Sequence, residues 1–445
     1  MDISIQGAAA PFSGEITIPG DKSISHRAIM LGALSEGTTR VTGFLNGADC
    51  LSTIRCFRDM GIAITLSDDE TEVQIEGRGL HGLQKPEHIL NCGNSGTTTR
   101  LISGILSAQN FDSCVTGDES IQKRPMNRIM KPLREMGASI RSQKDNGCAP
   151  LEIHGQSLHG IDYESPVASA QVKSAILFAG LYASQPVRIM EPYLSRDHSE
   201  RMLRALGATV STKTLADGRA EITLQPGAQL IAPAATLEIP GDISSAAYFI
   251  SAALLVPGSD LLIRNVGINP TRAGILEVYR RMGANISLVN QRLAGAEEVA
   301  DLHVCYTENL RAVDIGGALI PTLIDELPVI AAVAAAAEGD SRIYDAAELK
   351  VKESNRIQTM VAGLSSLGIS AEETEDGMII HGQGKKLRLC SASIDSFKDH
   401  RIAMTFAVLA LRGTRDTTVT IHDAECIEIS YPNFFKDMKK MIDKE

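Results

Sequence analysis

The chain has no long apolar run, no excess of positive charge and no closely spaced cysteine pair. Its longest apolar stretch, Leu327 to Ala337, is 11 residues and alanine-rich. That falls well short of the about 20 residues needed to span a bilayer, and it reads as a buried helix. A formal net charge of −11 argues against nucleic acid or an anionic membrane as the general partner, so any anion site must be local. None of the eight cysteines forms a Cys-x-x-Cys motif. The nearest pair, Cys50 and Cys56, lies in a segment that reads as helix, and reduced, mostly buried thiols are expected. The ten histidines show no metal-ligand spacing, so no metal site is expected. The first residues carry neither a basic stretch nor the apolar core of an export signal, which points to the cytoplasm.

What is present is a repeat. Six polar openings recur at intervals of roughly 73 to 83 residues, far longer than a solenoid period. They are Gly20-Asp21-Lys22-Ser23, Gly93-Asn94-Ser95-Gly96, Ser169-Ala170-Gln171, Gly241-Asp242-Ile243-Ser244, Asp325-Glu326 and Asp399-His400-Arg401, and each is expected to begin a helix. Five hydrophobic-Gly signals keep the same beat: Met60-Gly61, Met136-Gly137, Leu206-Gly207, Met282-Gly283 and Leu367-Gly368. Each glycine sits where a helix end favours a left-handed residue. The sixth copy has a helix over Phe434 to Ile442 but no hairpin after it, and the strand around Ile3 to Ile5 is expected to complete it.

A chain of 445 residues is too long for one core, and six copies divide into two sets of three. Ile18-Pro19-Gly20-Asp21 reappears as Ile239-Pro240-Gly241-Asp242, each a Pro-Gly break feeding a helix. Read as paired crossovers, they predict one domain over residues 21–240 and a second made of 1–20 plus 241–445.

Cations at helix starts oppose the helix dipole, at a cost of about 0.3 to 1 kcal/mol each. This chain puts Lys22, Arg27, Arg124 and Arg401 at or near such starts. Repetition at equivalent places suggests an anionic ligand. Ser23 and Arg27 are four apart, on one helix face, with Lys22 beside them; the arrangement suits a phosphate or carboxylate clamp, or equally a capped, solvated first turn. The stretch Asn91 to Arg100 has backbone amides able to cradle an anion but lacks the Gly-Lys-Ser/Thr of a Walker motif, and a capped turn accounts for it as well. Arg124 precedes Pro125 and must be extended. Ser169 and Gln171 offer a hydroxyl and an amide, although Ser169 is also a good cap. Lys352 and Arg356, four apart around Glu353, read as one helix face that holds an anion beside an acid, or as a solvated salt-bridged face. Asp325 is a cap or a base.

These residues together resemble the enolpyruvyl transferase family, in the branch that acts on shikimate 3-phosphate. The resemblance covers the whole chain and rests on Asp21 to Arg27, Gly93 to Thr97, Arg124-Pro125-Met126, Ser169 to Ser174, Lys352-Glu353-Ser354 and Asp399 to Met404. It implies an α/β fold of two domains with six βαβαββ repeats, three per domain, and helix N-termini facing an interdomain cleft. It also implies attack of the acceptor hydroxyl on phosphoenolpyruvate and loss of phosphate from a tetrahedral intermediate, with no metal or organic cofactor. Shikimate 3-phosphate then falls to Lys22, Ser23, Arg27, Ser169, Gln171, Arg196, Asp325 and Lys352. Phosphoenolpyruvate falls to Lys22, Asn94, Gly96, Arg124, Gln171, Arg356 and Arg401. Asp325 matches the family's proton acceptor and Glu353 its proton donor, with Lys22 assisting. Glyphosate is the expected competitor at the phosphoenolpyruvate contacts. A monomer acting on small molecules is expected, without nucleic acid or membrane partners.

The sequence departs from some members in having Ser169-Ala170 for two serines, and Ile429 where they carry a phosphate-binding lysine. The branch that uses a UDP-sugar acceptor has a cysteine five residues before the arginine equivalent to Arg124. Here that position is Glu119, and Cys114 lies elsewhere.

Overall fold

A computed structural model of the chain describes residues 1–442. They divide into two compact units, each with its own apolar core. The contiguous unit is Gly20–Ile239 with the short segment Leu293–Glu297, and the split unit is Met1–Pro19, Pro240–Arg292 and the chain from Glu298 on.

The contiguous unit contains three four-stranded sheets of one design. In the first, Leu237–Glu238 runs parallel to Glu36–Thr42, which pairs antiparallel with Val73–Arg78, and that strand pairs antiparallel with Ala63–Leu66. The second repeats the pattern with Leu90–Asn91, Asp112–Thr116, Leu151–His154 and Ser139–Ser142. The third uses Asp162–Glu164, Val187–Glu191, Ala220–Leu224 and Val210–Thr214.

The split unit also has three sheets. Ser13–Thr17 runs parallel to Asp260–Gly267, which pairs antiparallel with Glu297–Cys305. Asp314–Ile315, Glu338–Ile343, Met378–Gln383 and Ala371–Glu373 form the next. The last has three strands, Ala392–Asp395 parallel to Thr418–His422, and Ile3–Gln6 antiparallel to that same strand with Ile3 opposite Ile421. The first strand of the chain therefore fills the place where the sixth copy lacks a hairpin, and Phe434–Ile442 is helical.

All six openings start helices. Asp21, Ser95, Ser169, Asp242 and Asp399 each accept a hydrogen bond from a backbone N–H of the first turn, satisfying donors that the helix itself leaves open. Leu327–Ala334 instead has proline in its first turn, where a missing N–H costs nothing. These helices are apolar nearly all round and sit inside the sheets; Ile243–Leu255 is buried at every position, as a helix without a polar face must be. Gly104 lets one of them approach another, since a Cβ there would lie 2.2 Å from the carbonyl oxygen of Ala175.

The second helix of each of five copies ends at the expected glycine, whose φ lies between +80° and +102° and whose N–H closes the last turn.

Two expectations need correction. Lys352 and Glu353 do not share a helix face with Arg356, because Asn355 caps a helix that begins only at Arg356. The cysteines are reduced, but only Cys50, Cys56, Cys92 and Cys426 are buried, while Cys390 is exposed. No single helix among the described residues is long and apolar enough to cross a membrane.

Candidate active site

In the contiguous unit the candidate residues cluster at the first turns of the core helices. Lys22 opens Lys22–Leu34, and its Nζ lies 3.3 Å from the Asp49 carboxylate. One turn on, Arg27 is buried, and its guanidinium is held wholly by neutral groups: Nε donates to Ser199 Oγ at 2.7 Å, Nη2 to Ser174 Oγ at 2.7 Å, and Nη1 to the Ser23 carbonyl at 2.9 Å. Burial brings this guanidinium down to about 10. It remains a cation at neutral pH with no carboxylate bonded to it.

The Gly93–Arg100 opening holds a second group. Asn94 donates to Asp118 at 2.7 Å and accepts from Arg124 Nη2 at 3.0 Å, and Arg124 also donates to Ser120. Arg124 is extended, with ψ 134°, as Pro125 requires. Gly96 is the first residue of its helix and has no left-handed backbone angle. A Cβ on it would lie 3.2 Å from Arg100 Nη1 and 3.3 Å from Arg124 Nη1, so the missing side chain leaves room for two guanidinium groups. Arg100 in turn donates to the Gln171 side-chain carbonyl, and Gln171 Nε2 donates to Thr97 at 3.1 Å.

The Ser169 opening is built on a buried ion cluster that spacing did not reveal. Lys173 lies 3.0 Å from Glu191 and 2.8 Å from Glu200, all three fully buried. Burial opposes the charge on Lys173, but Glu200 and Glu191 more than compensate and hold its ammonium above the usual range. Glu191 accepts from the Ser169 N–H and from Ser195, while Lys173 donates to the Ser195 carbonyl. The ion cluster therefore fixes Ser169 and the residue before the half-buried Arg196.

In the split unit the candidate residues form one connected ion network. The Asp325 carboxylate lies 3.3 Å from Lys352 Nζ, 3.4 Å from Arg356 Nη1 and 4.0 Å from Arg401 Nε. Glu353 lies 2.6 Å from Arg356 Nη2, and Asp399 lies 2.8 Å from Arg356 Nε. The structure thus brings Lys352, Glu353 and Arg356 together through carboxylates rather than through helical spacing. Burial opposes the charge on Arg356, but Asp399 and Glu353 more than offset it and the guanidinium ends above its ordinary value. Arg401 is raised likewise, burial being outweighed chiefly by Asp325. The neighbours that sequence reasoning missed here are Arg272 and Glu326, both buried and 2.9 Å apart.

Away from these groups, Asp260, His303 and Cys305 bring one ligand atom each to within 4.8 Å of one another. They are cross-strand neighbours, Asp260 standing opposite Cys305, and histidine spacing along the chain cannot show such a grouping.

Chemically, the first set offers cations, hydroxyls and amides for anionic and hydroxylated ligands. The second adds two partly exposed carboxylates, Asp325 and Glu353, poised among cations for proton transfer. A model of the EPSP synthase (3-phosphoshikimate 1-carboxyvinyltransferase) family matches residues 7–438. The chain is 49% identical to the 3-phosphoshikimate 1-carboxyvinyltransferase of Bacillus cereus strain G9842, over 98% of this chain and 99% of that protein. It is 52% identical to the enzyme of the same name from Brevibacillus brevis, over 96% of each. Among solved structures it is similar to EPSP synthase from Acinetobacter baumannii, with a TM-score of 0.87, 46% identity and coverage of 99% and 98%. The enolpyruvyl transferase NikO from Streptomyces tendae shares the fold at 17% identity, with a TM-score of 0.77 over 98% of this chain and 96% of that one.

Proposed function

The chain belongs to the EPSP synthase family, and we infer from that membership that it transfers the enolpyruvyl group of phosphoenolpyruvate to the 5-hydroxyl of shikimate 3-phosphate, releasing phosphate, in aromatic amino-acid biosynthesis.

The residue roles are our assignment. Lys22, Ser23, Arg27, Ser169, Gln171, Arg196, Asp325 and Lys352 bind shikimate 3-phosphate; Lys22, Asn94, Gly96, Arg124, Gln171, Arg356 and Arg401 bind phosphoenolpyruvate. Asp325 accepts the proton of the attacking hydroxyl as its oxygen bonds to C2 of phosphoenolpyruvate. Glu353 delivers a proton to the methylene carbon, which becomes a methyl group in the tetrahedral intermediate. Return of a methyl proton to Glu353 restores the double bond as the C–O bond to phosphate breaks, with Lys22 assisting proton transfer.

The observation that carries this reading is the grouping of the two carboxylates with three cations. Asp325 lies among Lys352, Arg356 and Arg401, and Glu353 is bonded to Arg356. These cations suit ligands that carry phosphate and carboxylate groups, and the two carboxylates beside them are placed to exchange protons with such ligands. A stand-alone anion binder gains nothing from carboxylates so placed.

Glyphosate competes with phosphoenolpyruvate in this reading, the enzyme acts as a monomer in the cytoplasm, and the domain joints lie at the crossovers near Gly20 and Gly241. The test is release of inorganic phosphate from purified protein given both substrates. Release that needs each substrate is expected; release with either one alone, or none with both, overturns the assignment.

A further inference from the structure

Arg401 has one side-chain hydrogen bond among the described residues, from Nη2 to Ser244 Oγ at 3.3 Å. Its contacts with Glu326 at 3.8 Å and Asp325 at 4.0 Å exceed hydrogen-bond length. The guanidinium is thus pinned at one nitrogen, and the Nη1 and Nε hydrogens remain for a bidentate anion.

Ser244 is itself a junction. It is buried in the first turn of Ile243–Leu255, accepts from Arg272 Nη2 as well as from Arg401, and donates to Glu326 Oε1. Arg272 Nη1 donates to Glu326 Oε2 at 2.9 Å, and Nη2 lies 3.3 Å from Asp242. Glu326 is completely buried and follows Asp325 directly in the chain. An uncompensated carboxylate there would compete with any incoming anion for Arg401, because Coulomb attraction is strong where water is excluded. Arg272 neutralises it.

We propose that Ser244, Arg272 and Glu326 are positioning residues for the enolpyruvyl donor, acting through Arg401. Ser244 sets where the Arg401 guanidinium stands, and the Arg272–Glu326 pair fixes Ser244 and keeps the charge of Arg401 available. The inference rests on the reading that Arg401 binds phosphoenolpyruvate.

The experiment compares Ser244→Ala, Arg272→Gln and Arg401→Ala by steady-state kinetics in each substrate, with thermal melting of each variant. Losing a hydrogen bond to a charged group predicts a rise of about tenfold or more in KM for phosphoenolpyruvate in Ser244→Ala, with KM for shikimate 3-phosphate near the parental value. Arg272→Gln is expected to show the same split. If Arg401→Ala weakens phosphoenolpyruvate while Ser244→Ala keeps parental constants, this inference fails and the reading of Arg401 stands. If Arg401→Ala itself leaves phosphoenolpyruvate unaffected, both fail. A Ser244→Ala protein that melts lower but shows no split, or loses both substrates equally, assigns the junction to folding alone and overturns the proposal. Should Arg272→Gln not fold, Ser244→Ala decides.

Discussion

Two buried arginines, one in each unit, are held in opposite ways. Arg27, in the contiguous unit, donates to two serine hydroxyls and a carbonyl, and burial lowers its guanidinium to about 10. Arg356, in the split unit, is bonded to Asp399 and Glu353 and lies beside Asp325, and its guanidinium ends above the ordinary value despite burial. Arg27 stands in the second turn of Lys22–Leu34, and Arg356 is the first residue of its helix. The first is a desolvated cation short of negative charge, whose natural complement is an anionic ligand. The second is already neutralised, and its partners include the acids assigned to proton transfer. Units of like architecture thus hold one buried cation by neutral groups and the other by carboxylates.

The largest expected effect tests the reactive side. Asp325→Asn and Glu353→Gln should each lower turnover by about 10²- to 10⁴-fold, the scale of a positioned acid or base, with the fold retained. Near-parental turnover with intact substrate binding in either variant would remove that residue from the chemistry. Next comes the contrast between the arginines. Arg356→Gln strands the buried Asp399 carboxylate and should destabilise the protein by about 3 to 5 kcal/mol in chemical denaturation. Arg27→Gln leaves only neutral groups behind and should cost about 1 kcal/mol, yet weaken shikimate 3-phosphate about tenfold or more. Equal losses of stability in the two variants would abolish the distinction.

A smaller effect is expected at Gly96. Its backbone is helical rather than left-handed, so alanine is conformationally acceptable there. The new methyl meets Arg100 and Arg124 at 3.2 and 3.3 Å, contacts that need shifts of a few tenths of an ångström. Overpacking of this kind costs about 1 to 3 kcal/mol. Gly96→Ala should weaken glyphosate, the longer occupant, more than it raises KM for phosphoenolpyruvate; parallel titrations giving matched shifts would count against the steric account.

The smallest expected effect is acid sensitivity. Burial pushes the Asp399 carboxyl up, but Arg356 outweighs it and the group ends below its usual value. A carboxylate depressed in the folded state contributes stability that is complete above its unfolded value, about 3.9, and is lost as pH falls through the folded one. The stability gap between the parent and Asp399→Asn should therefore be constant above about pH 5 and shrink below pH 4. A gap independent of pH would show that Asp399 acts only as a helix cap.

Much of the scaffold was legible in the sequence because helix caps and helix-ending glycines are local signals. Asp21, Ser95, Ser169, Asp242 and Asp399 cap as their residue types dictate, and Gly61 or Gly283 turns where a left-handed residue is required. The strand Ile3–Gln6 was also readable, since the sixth copy lacked a partner. Partners across the chain were not. Arg27 finds its serines 147 and 172 residues away, and Arg272 meets Glu326 across 54; no spacing rule reaches that far. The helix face drawn through Lys352, Glu353 and Arg356 failed because Asn355 is a stronger helix start than charge periodicity is a helix signal.

The pairing of Ile3–Gln6 with Thr418–His422 has a consequence for how the protein is made. A ribosome delivers this strand before the other strands of the split unit, yet its partner is the last of them to emerge. The contiguous unit has every strand of its three sheets by residue 239 and can fold during synthesis, as sequential domains do. The split unit cannot close its last sheet until Thr418–His422 has emerged, and that long-range pairing is intrinsically slow. Until then Ile3–Gln6 is an unpaired edge, open to the wrong strand. Its residues should be the last to gain protection in pulse-labelling hydrogen exchange during refolding, and the first to be lost when the protein aggregates on overproduction.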